Sequence, residues 1–194
     1  MRKPNGLPFI EFPKIARLSR EIIVTEKIDG TNAQIYIPDV GEPEYGEVFA
    51  GSRTKWIDPQ DDNMGFAKWV DAHREELKSL GPGNHFGEWW GKGIQRGYNV
   101  PDKRFSLFNV SRWGPGGKDE AMKPACCLVV PTLYRGAFDM QAIDECINRL
   151  RIEGSVAAPK FMRPEGVVVF HTAGSHLYKK TLEKDHLPKG LTKE

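Results

Sequence analysis

Residues 21–37 read EIIVTEKIDGTNAQIYI and decide how the chain folds around them. The apolar, β-branched start of this stretch predicts a strand over residues 21–26. Residues 31–37 alternate between apolar and polar side chains, which predicts a second strand with one buried face. The intervening Lys27-Ile28-Asp29-Gly30 turns at Gly30 and leaves a lysine at the end of the first strand.

Lys27 is chemically interesting because a deprotonated lysine amine is a nucleophile. Burial and neighbouring cations would lower the pKa of its amine toward that state. The tetrapeptide by itself is weak support, since a K-x-D-G sequence arises by chance in roughly one chain in twenty at average residue usage. The competing interpretation is an exposed lysine in an ordinary Asp-Gly turn.

The rest of the chain predicts further strands and two helices in mixed order. The further strands are predicted over residues 47–53, 85–91, 104–110 and 126–130, and as a hairpin over 165–170 and 176–181. The helices are predicted over residues 63–80 and 139–150, the second capped by Asp139. This order favours an α+β fold in which antiparallel sheets are flanked by helices.

Length and composition limit the class of protein. The 194 residues are enough for one domain, and 39% hydrophobic with 28% charged residues excludes collagen-like and wholly disordered chains. No apolar run approaches the roughly 20 residues that span a bilayer, so no membrane partner is expected. The three cysteines show no disulfide pattern, which fits a reducing cytoplasm. The net charge of +2 says little, but basic residues at both ends suit a polyanionic partner or simple surface charge.

Common nucleotide and catalytic motifs are incomplete. Gly91-Lys92-Gly93 begins like a dinucleotide fingerprint, but Arg96 stands where the last glycine is needed. Gly117-Lys118 lacks the rest of a P-loop, and the sequence contains no C-x-x-C or G-x-S-x-G. These chemistries are therefore not expected.

A series of short motifs follows Lys27 in order along the chain. They are Ser52-Arg53, Phe86-Gly87-Glu88, the aromatic stretch Phe105–Phe108, RPEGVVV from Arg163, and Lys179-Lys180. Together with K-x-D-G, this series resembles the covalent nucleotidyltransferase superfamily of ATP-dependent DNA ligases, RNA ligases and mRNA capping enzymes. The resemblance covers about residues 14–189, nearly the whole chain.

Within that superfamily the chain is most similar to phage-type RNA ligases that seal nicks in duplexes. The similarity lies in Lys27–Asn32 (KIDGTN), in Glu26 before the lysine, and in the short form of Phe86–Gly91. It implies a ligase-type, ATP-grasp-like nucleotidyltransferase domain over residues 14–194, preceded by a loose arm over residues 1–13. The nucleotide cleft would lie between the sheets, and no C-terminal accessory domain is expected.

The resemblance implies that Lys27 attacks the α-phosphate of ATP and forms a lysyl-AMP. The AMP then passes to a 5′-phosphate end, and a 3′-hydroxyl displaces it to seal nicked or broken RNA. These are in-line phosphoryl transfers, which need positioning and charge neutralisation. Mg²⁺ or Mn²⁺ is implied because triphosphate oxygens with one or two carboxylates are its usual setting.

The resemblance also gives each remaining motif residue an expected role. Glu26, Asp29 and Gly30 are expected in the nucleotide site beside Lys27. The other contacts expected are Arg53 with sugar and phosphate, Glu88 with the ribose hydroxyls, Phe108 with adenine, Glu165 with the lysine and the metal, Lys179 with the α-phosphate, and Asn32 and Lys180 with the nucleic acid. Phe105 and Phe108 are three apart and so lie on opposite faces of a strand; Phe108 is favoured as the base contact.

Two departures leave alternatives open. The superfamily's last motif is usually Lys-x-Lys, but Thr181 takes the second lysine position, and Lys180, Lys184 or Lys189 would have to replace it. About 13 residues follow Thr181, too few for the further domain of the larger ligases, so an accessory nucleic-acid-binding partner is one expectation. The alternatives are a DNA nick ligase, a GTP-dependent capping enzyme, and a non-catalytic or partner-dependent protein that binds nucleic-acid ends.

Overall fold

A computed structural model describes residues 6–183 and residue 185. Within this part of the chain the strands, in chain order, are β1 (Glu21–Lys27), β2 (Thr31–Ile37), β3 (Phe49–Ser52), β4 (Trp56–Ile57), β5 (Gly83–Gly91), β6 (Lys103–Leu107), β7 (Cys127–Val129), β8 (Thr132–Ala137), β9 (Gly166–His171) and β10 (His176–Thr181). The α-helices are α1 (Phe66–Ala72), α2 (Arg74–Leu77), α3 (Val110–Trp113) and α4 (Met140–Glu153). Residues 6–20 contain no helix or strand and are exposed to solvent.

The strands form two sheets. The four-stranded sheet has the order β10-β9-β1-β8 and is antiparallel throughout. The six-stranded sheet has the order β4-β3-β2-β5-β6-β7, and only its β6–β7 pair is parallel. That pair is parallel because the long connection through α3 and a 3₁₀ turn at Glu120–Met122 returns the chain to the same end of the sheet. The predicted α+β fold of antiparallel sheets is confirmed with this one exception.

Helix α4 covers one face of the four-stranded sheet. Asp139 caps it by accepting a hydrogen bond from the Gln141 N–H at 2.8 Å, as predicted. The helix ends three residues later than predicted, at Glu153, and is followed by Gly154, whose φ of 85° favours glycine. Its buried side chains pack against those of β1 and β9 in one cluster, Ile143, Cys146, Ile147 and Leu150 against Ile22, Val24, Val167 and Val169.

Helix α1 covers one face of the six-stranded sheet, but the predicted helix over residues 63–80 is not continuous. It breaks at His73, whose φ of −110° separates α1 from α2, and residues 78–80 tighten into a 3₁₀ turn. The Asp62 carboxylate accepts hydrogen bonds from the Ala67 and Lys68 N–H groups at the start of α1. The apolar face is as predicted, because Phe66, Val70 and Leu77 are buried against the sheet.

Each sheet therefore has one face packed on a helix and one face that we call the non-helical face. A third apolar cluster, which includes Ile28, Trp90, Tyr98 and Phe161, joins the two sheets beside the end of β1. Side chains alternate between the two faces along every strand. The register of the strands therefore determines which residues can meet on the non-helical faces. Among the described residues there is no helix long and apolar enough to cross a membrane.

Candidate active site

Lys27 and Glu165 form an ion pair at the end of the four-stranded sheet. Lys27 is the last residue of β1, is in register with Gly166 of β9, and so lies beside the residue that precedes that strand. Its Nζ lies 2.6 Å from Glu165 Oε2, and the two side chains are 25% and 17% exposed. The lysine is thus held at one carboxylate yet remains accessible to a ligand.

Gly30 connects this lysine to the six-stranded sheet. Its N–H donates to Glu88 Oε1 at 3.0 Å. A Cβ at Gly30 would lie 2.4 Å from the Trp89 carbonyl oxygen and 2.8 Å from the Trp90 Cβ, so only glycine fits this close approach to β5. The K-x-D-G turn therefore joins the two sheets through backbone contact.

Glu88 is a buried carboxyl with an unusual proton affinity. Burial raises its pKa from 4.5 to about 7, although the nearby Lys27 charge and the Gly30 N–H partly oppose that rise. The negative charges of Glu165 and Asp29 raise it further. Near neutral pH the group therefore exists in both protonation states, and its side chain lies on the non-helical face of the sheet.

The pKa of Glu88 predicts a pH-dependent cost to folding. The unfolded carboxyl ionises near pH 4.5 and the folded one near pH 7, so the unfolded state binds fewer protons between those values. Stability should therefore fall as pH rises through that window, by about 3 kcal/mol in total. Glu88→Gln should lack this slope, so that at pH 8 the variant is more stable than the wild type. Urea unfolding at pH 5, 6, 7 and 8 measures the difference, and parallel curves for the two proteins would contradict it.

Asp29 faces a partner that the sequence did not reveal. Its carboxylate Oδ2 accepts from Arg96 Nε at 3.0 Å, and its N–H donates to Tyr98 Oη at 2.8 Å. In the sequence, Arg96 is only the residue that breaks a dinucleotide fingerprint. The stretch after β5 that contains glycines and Arg96 is the only sequence feature that could indicate this contact. The local sequence does not show that its partner lies 67 positions earlier.

The aromatic residues divide as predicted. Phe105 is fully buried on the helical face, whereas Phe108 is 38% exposed. The β5–β6 register, continued by one residue, places Phe108 opposite Phe86, and its N–H donates to the Phe86 carbonyl. Phe86 is two residues before Glu88 and therefore on the same face, and it is 56% exposed. Phe86 is thus a second candidate base contact, which alternation along β5 could have identified.

Asn32 and Arg53 lie at the same end of the six-stranded sheet. Asn32 is directly opposite Glu88 in the β2–β5 ladder and is exposed. Arg53 follows Ser52, which pairs with Ala33, so the turn after β3 begins level with Asn32. Among the described residues, Arg53 has no ion pair or side-chain hydrogen bond. Both residues are therefore placed where a ligand bound at Glu88 could meet them.

Glu26 does not belong to this group. It lies on the opposite face of β1 from Lys27, with 1% of its surface exposed. Its carboxylate accepts from the Ser155 hydroxyl at 2.5 Å and from the Val156 and Ala157 N–H groups at 2.8 and 2.9 Å. Burial raises the pKa of Glu26, and these three hydrogen bonds counteract the rise. Both carboxylate oxygens of Glu26 hold the turn after α4, and the side chain faces away from Lys27, so its contact with the nucleotide stays a prediction that these hydrogen bonds do not support.

The two lysines of β10 point to opposite faces. Lys179 pairs with Val168 and Lys180 with Val167, and Val167 packs against α4. Lys180 accordingly forms an ion pair with Asp144 of α4 on the helical face. Lys179 therefore shares the face of Lys27, but Lys180 is not placed to contact nucleic acid there. The expected contact of Lys180 with nucleic acid stays a prediction, and its ion pair with Asp144 does not support it.

Thr181 occupies the position of the missing motif lysine. It is in register with Gly166, which is itself opposite Lys27. Its hydroxyl donates to the Glu183 carbonyl at 2.9 Å, and its N–H donates to Asp185 Oδ1 at 2.9 Å. Lys184 and Lys189, the other candidates for the missing charge, lie outside the described residues.

A surface groove of about 750 Å³ lies elsewhere, between α4, the β9–β10 hairpin and residues 14–18. Leu18, Ile22, Phe138 and Ile143 give it an apolar floor. Lys179 and Lys180 reach its edge, but Lys27, Glu88 and Glu165 do not line it. Its position does not coincide with the ionisable residues above, so we place the candidate active site at Lys27.

The residues around Lys27 offer carboxylate oxygens to a metal. The Glu165 carboxylate is accessible, and it is near enough to Glu88 for its charge to raise the pKa of Glu88. The Asp29 carboxylate is already paired with Arg96. Hard cations such as Mg²⁺ are bound by one or two carboxylates together with substrate phosphates, so Glu165 fits that setting. The described residues contain no group of three or more His, Cys, Asp or Glu arranged as a metal cluster.

A lysine paired with a carboxylate, beside a glycine turn that contacts a second buried carboxyl, is an arrangement suited to covalent nucleotidyl transfer. The model of the RNA ligase family matches residues 20–181, and this chain belongs to that family. A comparison with curated proteins gave no match.

Several solved structures of a Naegleria gruberi RNA ligase share the fold. An apo mutant superposes with a TM-score of 0.60 at 20% identity, over 84% of this chain and 50% of that one. A mutant with AMP and Mn gives 0.59 at 18% identity, with coverage of 84% and 50%. A mutant with ATP and Mn gives 0.58 at 16% identity, with coverage of 87% and 52%. The chain thus spans about half the length of the ligase structures that it matches.

Proposed function

We propose that this protein is an ATP-dependent RNA ligase that forms a lysyl-AMP at Lys27. The AMP is then transferred to a 5′-phosphate end, and a 3′-hydroxyl displaces it to join the strand. The observation that carries the proposal is the Lys27–Glu165 pair, 2.6 Å apart and accessible, inside the region that the RNA ligase family model matches. The Naegleria structures with ATP or AMP and Mn support the choice of nucleotide and of a divalent metal.

The first step forms a P–N bond between Lys27 Nζ and the α-phosphorus and breaks the P–O bond to pyrophosphate. The amine must lose a proton to attack, and Glu165 already accepts a hydrogen bond from that nitrogen. Lys179, on the same face, offers a positive charge to the phosphates. Mg²⁺ bound with Glu165 would neutralise phosphate charge.

The rest of the nucleotide has matching groups on the six-stranded sheet. Glu88 accepts hydrogen bonds from ribose hydroxyls when it is ionised, and Phe108, with Phe86 beside it, offers an exposed ring to adenine. Arg53 is placed for the sugar and phosphate, and Asn32 for the reacting strand ends. Because Glu88 has a pKa of about 7, nucleotide binding through it should strengthen above neutral pH.

RNA ends or a nicked duplex are the proposed substrates. The residues placed near Lys27 account for nucleotide chemistry better than for strand binding. Because few strand contacts are placed near Lys27, we include an accessory nucleic-acid-binding partner in the proposal. Lysyl-AMP formation needs none of these strand contacts and is the step most open to a direct test.

A label-transfer experiment tests the proposal. The protein is first treated with pyrophosphate to remove bound AMP, and is then incubated with Mg²⁺ and either α-labelled ATP or α-labelled GTP. We expect covalent label from ATP only. The labelled protein, freed of ATP, is then mixed with a nicked RNA duplex or a nicked DNA duplex of the same sequence, and label should move to the RNA 5′ end before AMP is released.

Each alternative gives a different result in that experiment. Labelling by GTP would favour the capping reaction, and preferential transfer to the DNA nick would favour a DNA ligase. No label from either nucleotide, with RNA binding retained, would overturn the proposal in favour of a non-catalytic end-binding protein. Label without transfer, restored by a cell extract, would support the partner-dependent form.

The two β10 lysines provide a matched pair of variants. Lys179→Ala should slow lysyl-AMP formation by about 10²-fold because it removes a charge that faces the phosphates, whereas Lys180→Ala should change the rate less than about threefold. The reason is the alternation that sends Lys180 to Asp144. Single-turnover labelling rates of the two variants test this, and equal losses would mean that the assignment of faces is wrong.

A further inference from the structure

The loop formed by residues 92–100, which follows β5, carries two contacts to the K-x-D-G turn. We propose that Arg96 in this loop is a positioning residue that sets the spacing between Lys27 and Glu165. The inference rests on the proposed function, since it concerns the rate of the lysyl-AMP step. It assigns a role to a residue outside the motif series.

Arg96 contacts the chain on both sides of the ion pair. Its Nε donates to Asp29 Oδ2 at 3.0 Å, two residues after Lys27. Its Nη1 donates to the Arg163 carbonyl at 2.9 Å and more weakly to the Pro164 carbonyl at 3.4 Å, immediately before Glu165. One guanidinium therefore ties the segment that follows the nucleophile to the segment that precedes its carboxylate partner.

With these contacts, the segments that carry Lys27 and Glu165 are connected in two places. Lys27 and Glu165 meet through their side chains at 2.6 Å, and their neighbouring backbones meet through Arg96. A planar, permanently charged guanidinium can hold a carboxylate and a carbonyl at fixed directions, which a lysine ammonium cannot. Because the Arg96 side chain is 30% exposed, solvent screens its ion pair and its main contribution is geometric.

The loop itself is built to hold this position. Tyr98 is 1% exposed, and its hydroxyl oxygen accepts a hydrogen bond from the Asp29 N–H. Its ring packs on Phe161 with centroids 4.6 Å apart. The backbone has positive φ at the non-glycine residues Gln95, Tyr98 and Asn99. Such conformations cost energy and persist only where surrounding contacts enforce them. The loop therefore fixes Asp29 at two points, with Arg96 at its carboxylate and Tyr98 at its backbone N–H.

The test compares the rate constant of lysyl-AMP formation with its amplitude, which is the fraction of protein finally labelled. Arg96→Met should lower the single-turnover rate constant of lysyl-AMP formation by about 10²-fold, because a displacement near 1 Å at a reacting pair costs this much. The ATP concentration for half-maximal rate should change less than about threefold, and the fraction of protein finally labelled should match the wild type. Arg96→Lys should recover only part of the rate, and added guanidinium should partly rescue Arg96→Ala.

Arg104→Met is the matched control. Arg104 is 29% exposed, pairs with Asp102 and lies over the Trp90 ring, but it contacts neither Asp29 nor the segment before Glu165. Its variant should label at the wild-type rate. If Arg96 acts through Asp29, the Arg96→Met, Asp29→Asn double variant should be no slower than the slower single variant.

The outcomes separate this inference from the proposed function. Arg96→Met with an unchanged rate constant but a smaller labelled fraction and a lower Tm would show a purely structural role and overturn the inference alone. An unchanged rate, amplitude and Tm would also overturn it. A wild type that takes no label would remove the proposed function and the inference together.

Discussion

Replacing Lys27 with alanine is expected to abolish covalent labelling by ATP, with a loss of more than about 10⁴-fold in the rate of adenylyl transfer. The reason is that no other described lysine lies within hydrogen-bond distance of Glu165, so nothing can take over the attack. The variant also leaves the Glu165 carboxylate without its partner in a site where it is only 17% exposed. A loss of about 1–3 kcal/mol in folding stability should accompany the loss of activity.

Lys27→Arg separates the two effects. A guanidinium can keep the ion pair to Glu165, but it stays protonated and is not a nucleophile at neutral pH. This variant should be as inactive as Lys27→Ala while unfolding close to the wild-type temperature. The measurements are a denaturing gel after incubation with α-labelled ATP, and thermal unfolding, with Lys68→Ala on the exposed surface of α1 as the control. Label in Lys27→Arg at a wild-type level would mean that another residue is the nucleophile.

The second large effect is expected from Gly30→Ala. The added Cβ would meet the Trp89 carbonyl oxygen at 2.4 Å, the Trp90 Cβ at 2.8 Å and the Glu88 Cγ at 3.0 Å. None of these atoms is the free end of a flexible side chain, so the turn and β5 must separate. We expect a loss of about 1–3 kcal/mol in the free energy of unfolding. Displacing the Gly30 N–H from Glu88 should also slow labelling by about 10²-fold in the folded fraction.

Gly116→Ala gives the comparison for Gly30→Ala. Gly116 has a φ of 72°, and a Cβ there would meet nothing within 4 Å. Its variant should lose about 1 kcal/mol through backbone strain alone and label normally. Urea unfolding and single-turnover labelling at matched folded fraction measure both variants. Equal behaviour of the two would show that close approach between the turn and β5 is unimportant.

Features governed by local alternation could be predicted from the sequence. The period of two along a strand predicts different faces for Phe105 and Phe108, and the structure shows the same alternation for Lys179 and Lys180. The bounds of β2 were predicted without error, because its apolar and polar residues alternate cleanly between two turns. In these places one residue's environment follows from its neighbours in the chain.

Features that depend on distant partners could not be predicted. Arg96 meets Asp29 across 67 positions, and Ser155 meets Glu26 across 129. Strand β8 was missed because TLYRGA contains Arg135 and Gly136 and owes its extended form to pairing with β1. The break at His73 was also missed, since the apolar face of the predicted helix continues through it. Each of these depends on tertiary contacts that overrule or supplement the local pattern.

The length of the β9–β10 connection has a consequence for engineering this site. Residues 172–175 join His171 to His176, and the length of this connection determines which lysine of β10 shares the face of Lys27. An insertion of one residue that shifted the pairing by one would move Lys179 to the helical face and Lys180 to the non-helical face. Thr181 would then also move to the helical face. The connection therefore obeys a parity rule. Insertions of two residues should keep every β10 side chain on its present face, whereas insertions of one should move each side chain to the other face.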